Sequence, residues 1–314
     1  MAFIKATRKK AKLRLALTGP SGCGKTWGAL QIAKGLGGRI ACIDTEKGSA
    51  SLYEHIVDFD VLELSAPYTP EAYIAAVQEA DKAGYDVLIV DSTTHEWNGP
   101  GGVLELLEDV AKAKYRGNTW SAWNELTPRH RAFIDAMLQS NMHIIATGRS
   151  KTETAQQDSG NGKKSVVKLG MKTEQRDGFE YEFTVVLDIV HNGHYAVASK
   201  DRTGLFVGDA KPISAQTGVE LLAWLEDGVA GPDVKAILEG ISKSASLELL
   251  RSNYEAAMLM LPETQHPAIN RAKNTRRKEI DPAFTPPQKA LSIESSQDLS
   301  EGERQAFRMS GVPH

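Results

Sequence analysis

The stretch Gly19-Pro-Ser-Gly-Cys-Gly-Lys-Thr26 decides the fold class of this chain. It fits the pattern G-x-x-x-x-G-K-[ST], in which glycines let successive backbone N–H groups point into one concavity that binds phosphate. Residues 13–17 before it have the pattern of a strand, and residues 26–36 after it that of a helix, whose N-terminal dipole adds to the site. We therefore predict a phosphate site formed by Gly19, Pro20, Ser21, Gly22, Cys23, Gly24, Lys25 and Thr26.

The loop implies ATP and Mg²⁺ as cofactors. In loops of this kind the lysine, here Lys25, reaches the β- and γ-phosphates, and the hydroxyl of the next residue, Thr26, ligates Mg²⁺. The metal also needs an acid at the tip of a buried strand. Asp91 ends the apolar run of residues 86–91, so we predict that it provides this acid.

ATP hydrolysis also needs a group that orients or deprotonates a water molecule. Two glutamates are candidates. Glu46 follows the predicted strand 39–43, and Glu96 lies five residues beyond Asp91. Residue type and position alone do not separate them, and a solvated loop carboxylate is the alternative for either.

Strands alternate with helices from residue 13 to about residue 227, which predicts an α/β fold with a mostly parallel sheet. The last two strands surround the turn Asn192-Gly193, which predicts an antiparallel edge. The predicted strands are 13–17, 39–43, 60–64, 85–91, 142–147, 179–190 and 194–199. The predicted helices are 26–36, 70–83, 103–114, 127–140 and 217–226.

The chain divides into four predicted regions. A basic lead of residues 1–12 precedes the ATPase core of residues 13–228, and residues 228–232 form a boundary. Residues 233–280 have apolar positions at helical spacing and predict a small helical segment. Residues 281–314 are rich in Pro, Ser and Gln with few large apolar residues, which predicts a disordered tail.

Overall composition excludes several classes of protein. The chain has 40 acidic and 37 basic residues, a net charge of −3, so any nucleic-acid or membrane binding must come from local patches. No apolar run approaches the ~20 residues that span a bilayer. The two cysteines, Cys23 and Cys42, give neither a disulfide framework nor a zinc set, which is typical of a reducing cytosol. We expect a cytoplasmic protein.

Several further motifs resemble a known family. Residues 41–46, a Tyr at position 53, Thr69-Pro-Glu71 and residues 86–92 are similar to the ATPase core of RecA-type recombinases. The run from Asp177 to Phe183, with Ser-Lys-Asp-Arg-Thr-Gly-Leu-Phe at 199–206, more closely resembles phage-encoded AAA-family ATPases. Those are short RecA-like proteins linked to single-strand annealing. The resemblance covers residues 13–227 and implies a RecA-like P-loop core.

The resemblance also implies roles for individual residues. It favours Glu46 over Glu96 as the water-activating base, and it gives Tyr53 the adenine-stacking position. Lys200 and Arg202 match basic residues that reach the γ-phosphate of a neighbouring subunit. It therefore implies a homo-oligomer whose active sites lie between subunits.

Residues 149–172 are polar and carry six basic and two acidic residues, a net charge of +4, and we predict a long flexible loop. In RecA-like proteins the loop at this point faces single-stranded DNA, whose phosphates cations would neutralise. The segment contains no aromatic residue, so base stacking is not evident. A solvated surface loop is the alternative. The candidate DNA-binding residues are Arg149, Lys151, Lys163, Lys164 and Lys168.

Three hypotheses for the function follow. The first is an oligomeric ATPase that acts on single-stranded DNA in recombination or annealing. A single-strand-binding protein or a replication protein is a further candidate partner for it. The second is an ATP-dependent loader or adaptor that acts on a replication protein such as a helicase. The third and least favoured is a P-loop small-molecule kinase. Trp97, Trp120 and Trp123 are interpreted as packing residues, and His191 and His194 as turn residues without a metal.

Overall fold

The central sheet of the structure, a computed structural model, holds the phosphate loop at the end of its middle strand. The structure describes residues 5, 7–158, 164–208, 210–229, 232, 234–261 and 265–284. The chain divides into two compact units, of which the first ends at Val229. The predicted disordered tail falls almost entirely outside the described residues. None of the helices in the described ranges is long and apolar enough to cross a bilayer.

The sheet of the first unit has nine strands within the described residues, in the order β3-β2-β4-β5-β1-β7-β8-β9. Strands β3 to β7 of this order are parallel, β8 and β9 add an antiparallel edge, and β6 pairs with the outer part of β5. This confirms the predicted fold class. The strands are β1 (Arg14–Gly19), β2 (Ile40–Asp44), β3 (Asp60–Glu63), β4 (Val87–Asp91), β5 (His143–Asp158), β6 (Lys164–Thr173), β7 (Val185–Ile189), β8 (Tyr195–Asp201) and β9 (Lys211–Pro212).

Helices cover both faces of this sheet. The first unit contains α1 (Lys25–Leu36), α2 (Pro70–Ala83), α3 (Thr94–Asn98), α4 (Val103–Lys114), α5 (Thr119–Gln139) and α6 (Ala215–Glu226), with 3₁₀ turns at Ala50–Tyr53 and Phe179–Glu182. The second unit contains α7 (Val234–Ser242), α8 (Leu247–Met260) and α9 (His266–Ile280), which enclose a small core of their own.

Two hydrophobic clusters fill the space between the sheet and its helices. Residues of α1 and α6 share one cluster with Leu15 and Leu17 of β1, whereas residues of α2 and α5 share the other with Ala16. Successive side chains of a strand point to opposite faces, so β1 contributes to both clusters. Helices α1 and α6 pack closely at Gly35 and Gly218. A Cβ on Gly35 would lie only 2.8 Å from the Cα of Gly218, so glycine is needed there.

The chain enters and leaves the first unit at one place. Lys10 donates its backbone N–H to the carbonyl of Val229 at 3.1 Å, and Val229 donates its own to the carbonyl of Arg8 at 2.9 Å. The Arg8 guanidinium also pairs with Asp227 at 3.0 Å. These bonds join the residues that precede β1 to those that follow α6.

Two predicted elements were wrong in their bounds. Helix α5 begins at Thr119 and not at residue 127, because the Asn118 side chain caps it and accepts from the Ser121 N–H at 3.3 Å. Pro128 therefore lies inside the helix, where burial of Leu126 and other residues stabilises the helix on both sides of it. The predicted strand 179–190 begins with a 3₁₀ turn, and β7 starts only at Val185.

The predicted flexible loop 149–172 was also wrong. Strand β5 continues to Asp158, and β6 returns antiparallel to it, from the pair Ser150 and Thr173 to the pair Asp158 and Lys164, with a bulge near Glu153. Thr152 and Thr154 of β5 and Val166, Val167 and Thr173 of β6 are β-branched, and β-branched residues favour strands. The two strands form a hairpin, hereafter the β5–β6 hairpin.

Candidate nucleotide site

The phosphate loop lies between β1 and α1, as its sequence predicts. Gly24 has φ 94°, a left-handed conformation that suits glycine, and α1 begins at the next residue. Lys25 donates through Nζ to the carbonyls of Gly19 at 3.1 Å and Pro20 at 2.9 Å. Among the described residues no side chain caps α1, so its first N–H groups can bind an anion. The loop therefore fits a nucleotide phosphate.

An oxygen cluster stands next to this loop. Thr26 donates through Oγ1 to Oδ2 of Asp91 at 2.6 Å, and Thr147 donates to the other oxygen, Oδ1. Asp91 is buried at the end of β4, and this burial raises the pKa of its carboxyl group. Hydroxyl and carboxylate oxygens are the ligands that Mg²⁺ prefers. The residues present thus fit a magnesium ion, which Thr26 and Asp91 would hold.

Glu46 lies beside this cluster, just beyond the end of the neighbouring strand β2. Strands β2 and β4 pair Asp44 with Asp91, and Glu46 is two residues beyond Asp44. The buried Asp44 carboxylate fixes the turn, because it accepts the N–H of Glu46 at 2.6 Å and that of Ala50 at 2.9 Å. The Glu46 side chain is 29% exposed and accepts from both Nε and Nη2 of Arg149, at 3.2 and 2.8 Å.

Glu96, the other candidate base, has a different environment. It is fully buried in α3, where His130 Nδ1 lies 3.0 Å from Oε1 and Gln175 donates to Oε2 at 3.4 Å. Burial raises the pKa of its carboxyl group. This carboxylate is enclosed by protein partners, whereas Glu46 is accessible to a water molecule.

Two histidines lie against the phosphate loop, a proximity that the sequence analysis missed. His194 donates through Nδ1 to the carbonyl of Cys23 at 2.9 Å, and a Cβ on Gly22 would lie 3.5 Å from His191 Cε1. Both belong to the β7–β8 turn, and β7 is the neighbour of β1. The turn was predicted, but its proximity depends on a strand order that local pattern does not give.

Lys200 and Arg202 lie at the opposite end of the sheet from the loop. Lys200 pairs with Val186, which in turn pairs with Ala16 near the start of β1. The backbone N–H of Arg202 donates a hydrogen bond to the carbonyl of Thr184 at 3.1 Å. Lys200 donates to the carbonyls of Glu180, at 3.2 Å, and Tyr181. The structure therefore does not bring these two cations to the phosphate loop of the same chain.

The remaining predicted residues lie in three settings. Tyr53 ends a 3₁₀ turn and packs, partly buried, against the hydrophobic cluster that includes Cys23. Lys151 stands at the base of the β5–β6 hairpin and pairs with Glu174 at 3.6 Å. The backbones of Lys164 and Lys168 belong to β6, and Lys163 lies outside the described residues.

The fold and the site together define a P-loop nucleotide-binding protein. Residues 11–211, more than half of the chain, match the family described as the AAA domain. The chain therefore belongs to the AAA domain family, whose members are generally ATPases. No curated protein matches the chain. The expected AAA-type P-loop family is confirmed, and the link to phage-type recombination stays a prediction.

Proposed function

We propose that this protein binds MgATP in the phosphate loop and hydrolyses it, and that single-stranded DNA stimulates the reaction. The contact between Thr26 and Asp91 beside Lys25 supports nucleotide binding. A magnesium ion held there would neutralise charge on the phosphate oxygens. Glu46 accepts a proton from the attacking water, because it follows Asp44, the sheet neighbour of Asp91, by two residues and its carboxylate is accessible to solvent.

One strand supports the proposed coupling to DNA. Within five residues of β5, Thr147 bonds Asp91, Arg149 pairs with Glu46, and Lys151 lies at the base of the β5–β6 hairpin. A displacement of the hairpin is therefore transmitted along continuous backbone to Arg149. We infer that DNA bound at the hairpin draws Arg149 away from Glu46 and frees the base to act on water.

The active site is completed by a neighbouring subunit in this proposal. Lys200 and Arg202 are remote from the phosphate loop of their own chain, so they can stabilise a γ-phosphate only across an interface between two copies. The charge that develops on the transferred phosphoryl group makes such cations effective. A head-to-tail interface would place the cations of one copy at the loop of the next.

ATP turnover with and without single-stranded DNA, at two salt concentrations, tests this function. We expect DNA to raise turnover, and the stimulation to weaken at the higher salt because cations release counterions when they bind phosphates. Arg149→Ala should raise turnover without DNA and reduce the further stimulation, because Glu46 is then no longer paired. Lys112→Ala is the matched control, since it removes an exposed cation from α4.

Three results would contradict the proposal or change its class. No stimulation by DNA at either salt concentration would contradict the role of DNA. Stimulation only by a partner protein, such as a helicase or a single-strand-binding protein, would support the loader or adaptor hypothesis. ADP release that depends on an added nucleoside would support a small-molecule kinase.

A further inference from the structure

An open cleft with aromatic and basic walls lies at the base of the β5–β6 hairpin. Its volume is about 780 Å³, and its lining includes Trp97, Trp123, Lys151, Lys172 and Arg176. These residues come from α3, α5, β5, the end of β6 and the segment that follows β6. The cleft is separate from the phosphate loop, and the proposed hydrolysis does not use it.

The aromatic wall presents stacked rings to the cleft. Trp97 and Trp123 stack with their ring centroids 5.9 Å apart and their planes inclined by 21°. The Arg176 guanidinium lies over Trp123, 5.0 Å from the ring centroid. Trp120 precedes Trp123 by one helical turn, so both lie on the same side of α5, and Trp120 is 85% exposed.

The basic side chains of the cleft are held by contacts that a ligand can replace. Lys151 pairs with Glu174 at 3.6 Å, and Lys172 pairs with Asp177 at 2.6 Å. At least one side chain of each pair is largely exposed, and exposed ion pairs contribute little to stability. With Arg176 the cleft has three cations and two carboxylates.

We propose that this cleft is a base-stacking site for single-stranded DNA, which rests on the proposed DNA-stimulated function. One nucleobase stacks on Trp123 in place of the Arg176 guanidinium, and a neighbouring base stacks on the exposed ring of Trp120. Arg176 then pairs with the phosphate between them, and Lys151 tracks the backbone towards the hairpin. Proteins that bind single strands combine aromatic stacking faces and a basic groove in this way.

The choice of ligand follows from the chemistry of the walls. Flat rings beside cations match the alternation of bases and phosphates in a single strand. In a duplex the bases are already stacked on one another and are not available to Trp120 or Trp123. The occupant that fits is therefore single-stranded.

Binding of two labelled oligomers of equal length, one of deoxythymidine and one abasic, tests the stacking site. Fluorescence anisotropy of the full chain with MgATP should give ~10-fold or greater preference for the oligomer with bases, since stacking contributes ~1–3 kcal/mol per base. Trp120→Ala should lose most of that preference without weakening binding of the abasic oligomer. Trp123→Phe, which keeps a packed ring, should lose part of it.

Two controls separate stacking from charge and from surface hydrophobicity. Lys151→Ala should weaken the binding of both oligomers to the same extent, because the lysine contacts phosphates, which both oligomers have. Leu259→Ala, at a position 88% exposed, should leave both affinities unchanged. Equal affinity of the wild type for the two oligomers, or a preference undiminished in both tryptophan variants, would overturn the stacking site but leave the DNA function standing. Failure of both oligomers to bind would overturn the stacking site and the DNA function together.

Discussion

The two ends of the central sheet use polar residues in different ways. Around the carboxyl ends of β1 and β4 and the middle of β5, several side chains bond one another, as in the contact of Thr26 with Asp91 and that of Arg149 with Glu46. At the amino ends, Arg14, His143 and Lys200 bond the backbone. Contacts between partly exposed side chains can exchange when a ligand binds, whereas contacts to buried carbonyls hold the fold.

Arg14 illustrates the second kind of contact. It is buried at the start of β1, and its guanidinium donates to the carbonyls of Leu138 at 2.9 Å and Met142 at 2.7 Å, among others. Burial lowers its pKa to about 10. Lys200 and Arg202 stand at this same end of the sheet, so in the proposed assembly this structural edge of one copy would supply cations to the site of another.

Arg202→Ala should have the largest effect on turnover, because it removes from the amino end of the sheet a cation that is proposed to act on the site of a neighbouring subunit. We expect turnover to fall by ~10³-fold, the scale of arginines supplied in trans. ATP affinity should stay within a few-fold of wild type, since the phosphate loop is untouched. Steady-state turnover and nucleotide titration measure the two quantities, and Lys112→Ala again serves as the control.

A mixing experiment sharpens this prediction. Lys25→Ala destroys the phosphate contact but keeps Arg202, so the two inactive variants together should regain part of the activity. Turnover per subunit should also rise with protein concentration. Turnover independent of concentration, without rescue at any mixing ratio, would indicate a complete site in one chain.

Glu46→Gln should have the next largest effect. The amide keeps the shape of the side chain but is not a base, so hydrolysis should fall by ~100-fold or more while ATP still binds. Glu96→Gln is the matched comparison and should keep turnover within a few-fold, because Glu96 is buried among His130 and Gln175. The reverse result in a turnover assay would assign the base to Glu96.

His143→Asn should have the smallest effect, on stability at the amino end. His143 accepts the Leu13 N–H through Nδ1 at 3.1 Å, and burial, with the charges of Lys12 and Arg14, lowers its pKa to about 4. The unfolded chain binds this proton near pH 6.5, so the stability that His143 contributes is complete above that pH and is lost as the pH falls towards 4.

Asn keeps an acceptor for Leu13 and does not titrate. Between pH 7 and pH 5, the free energy of unfolding of the variant should therefore fall by ~1–2 kcal/mol less than that of the wild type. Urea unfolding at the two pH values measures this difference. Equal falls in both proteins would show that His143 is protonated as readily in the folded chain as in the unfolded chain.

Local signals in the sequence predicted the sheet and the phosphate loop well. The glycine pattern, the apolar run that ends at Asp91 and the cap at Thr69 each depend on a few consecutive residues. The Thr69 side chain does accept the Ala72 N–H at 3.2 Å, as the motif Thr-Pro-Glu predicts. The predicted strands and helices therefore needed correction mainly at their ends.

Contacts between distant residues could not be predicted in the same way. The pairing of Arg149 with Glu46, the contact of His194 with Cys23 and the stacking of Trp97 on Trp123 each join different elements. They depend on which strands and helices are neighbours, and a single sequence shows no such order. The β5–β6 hairpin was missed because its polar composition masks the β-branched residues of its two strands.

The backbone hydrogen bond between Lys10 and Val229 brings the two ends of the ATPase unit together, so the unit can be transferred as a whole. Chain ends that lie one strand spacing apart, ~4.8 Å, can be joined by a very short linker. The unit could then be circularly permuted, with new termini at the exposed turn around Gly117 between α4 and α5. It could equally be inserted into a surface loop of another protein without stretching its host.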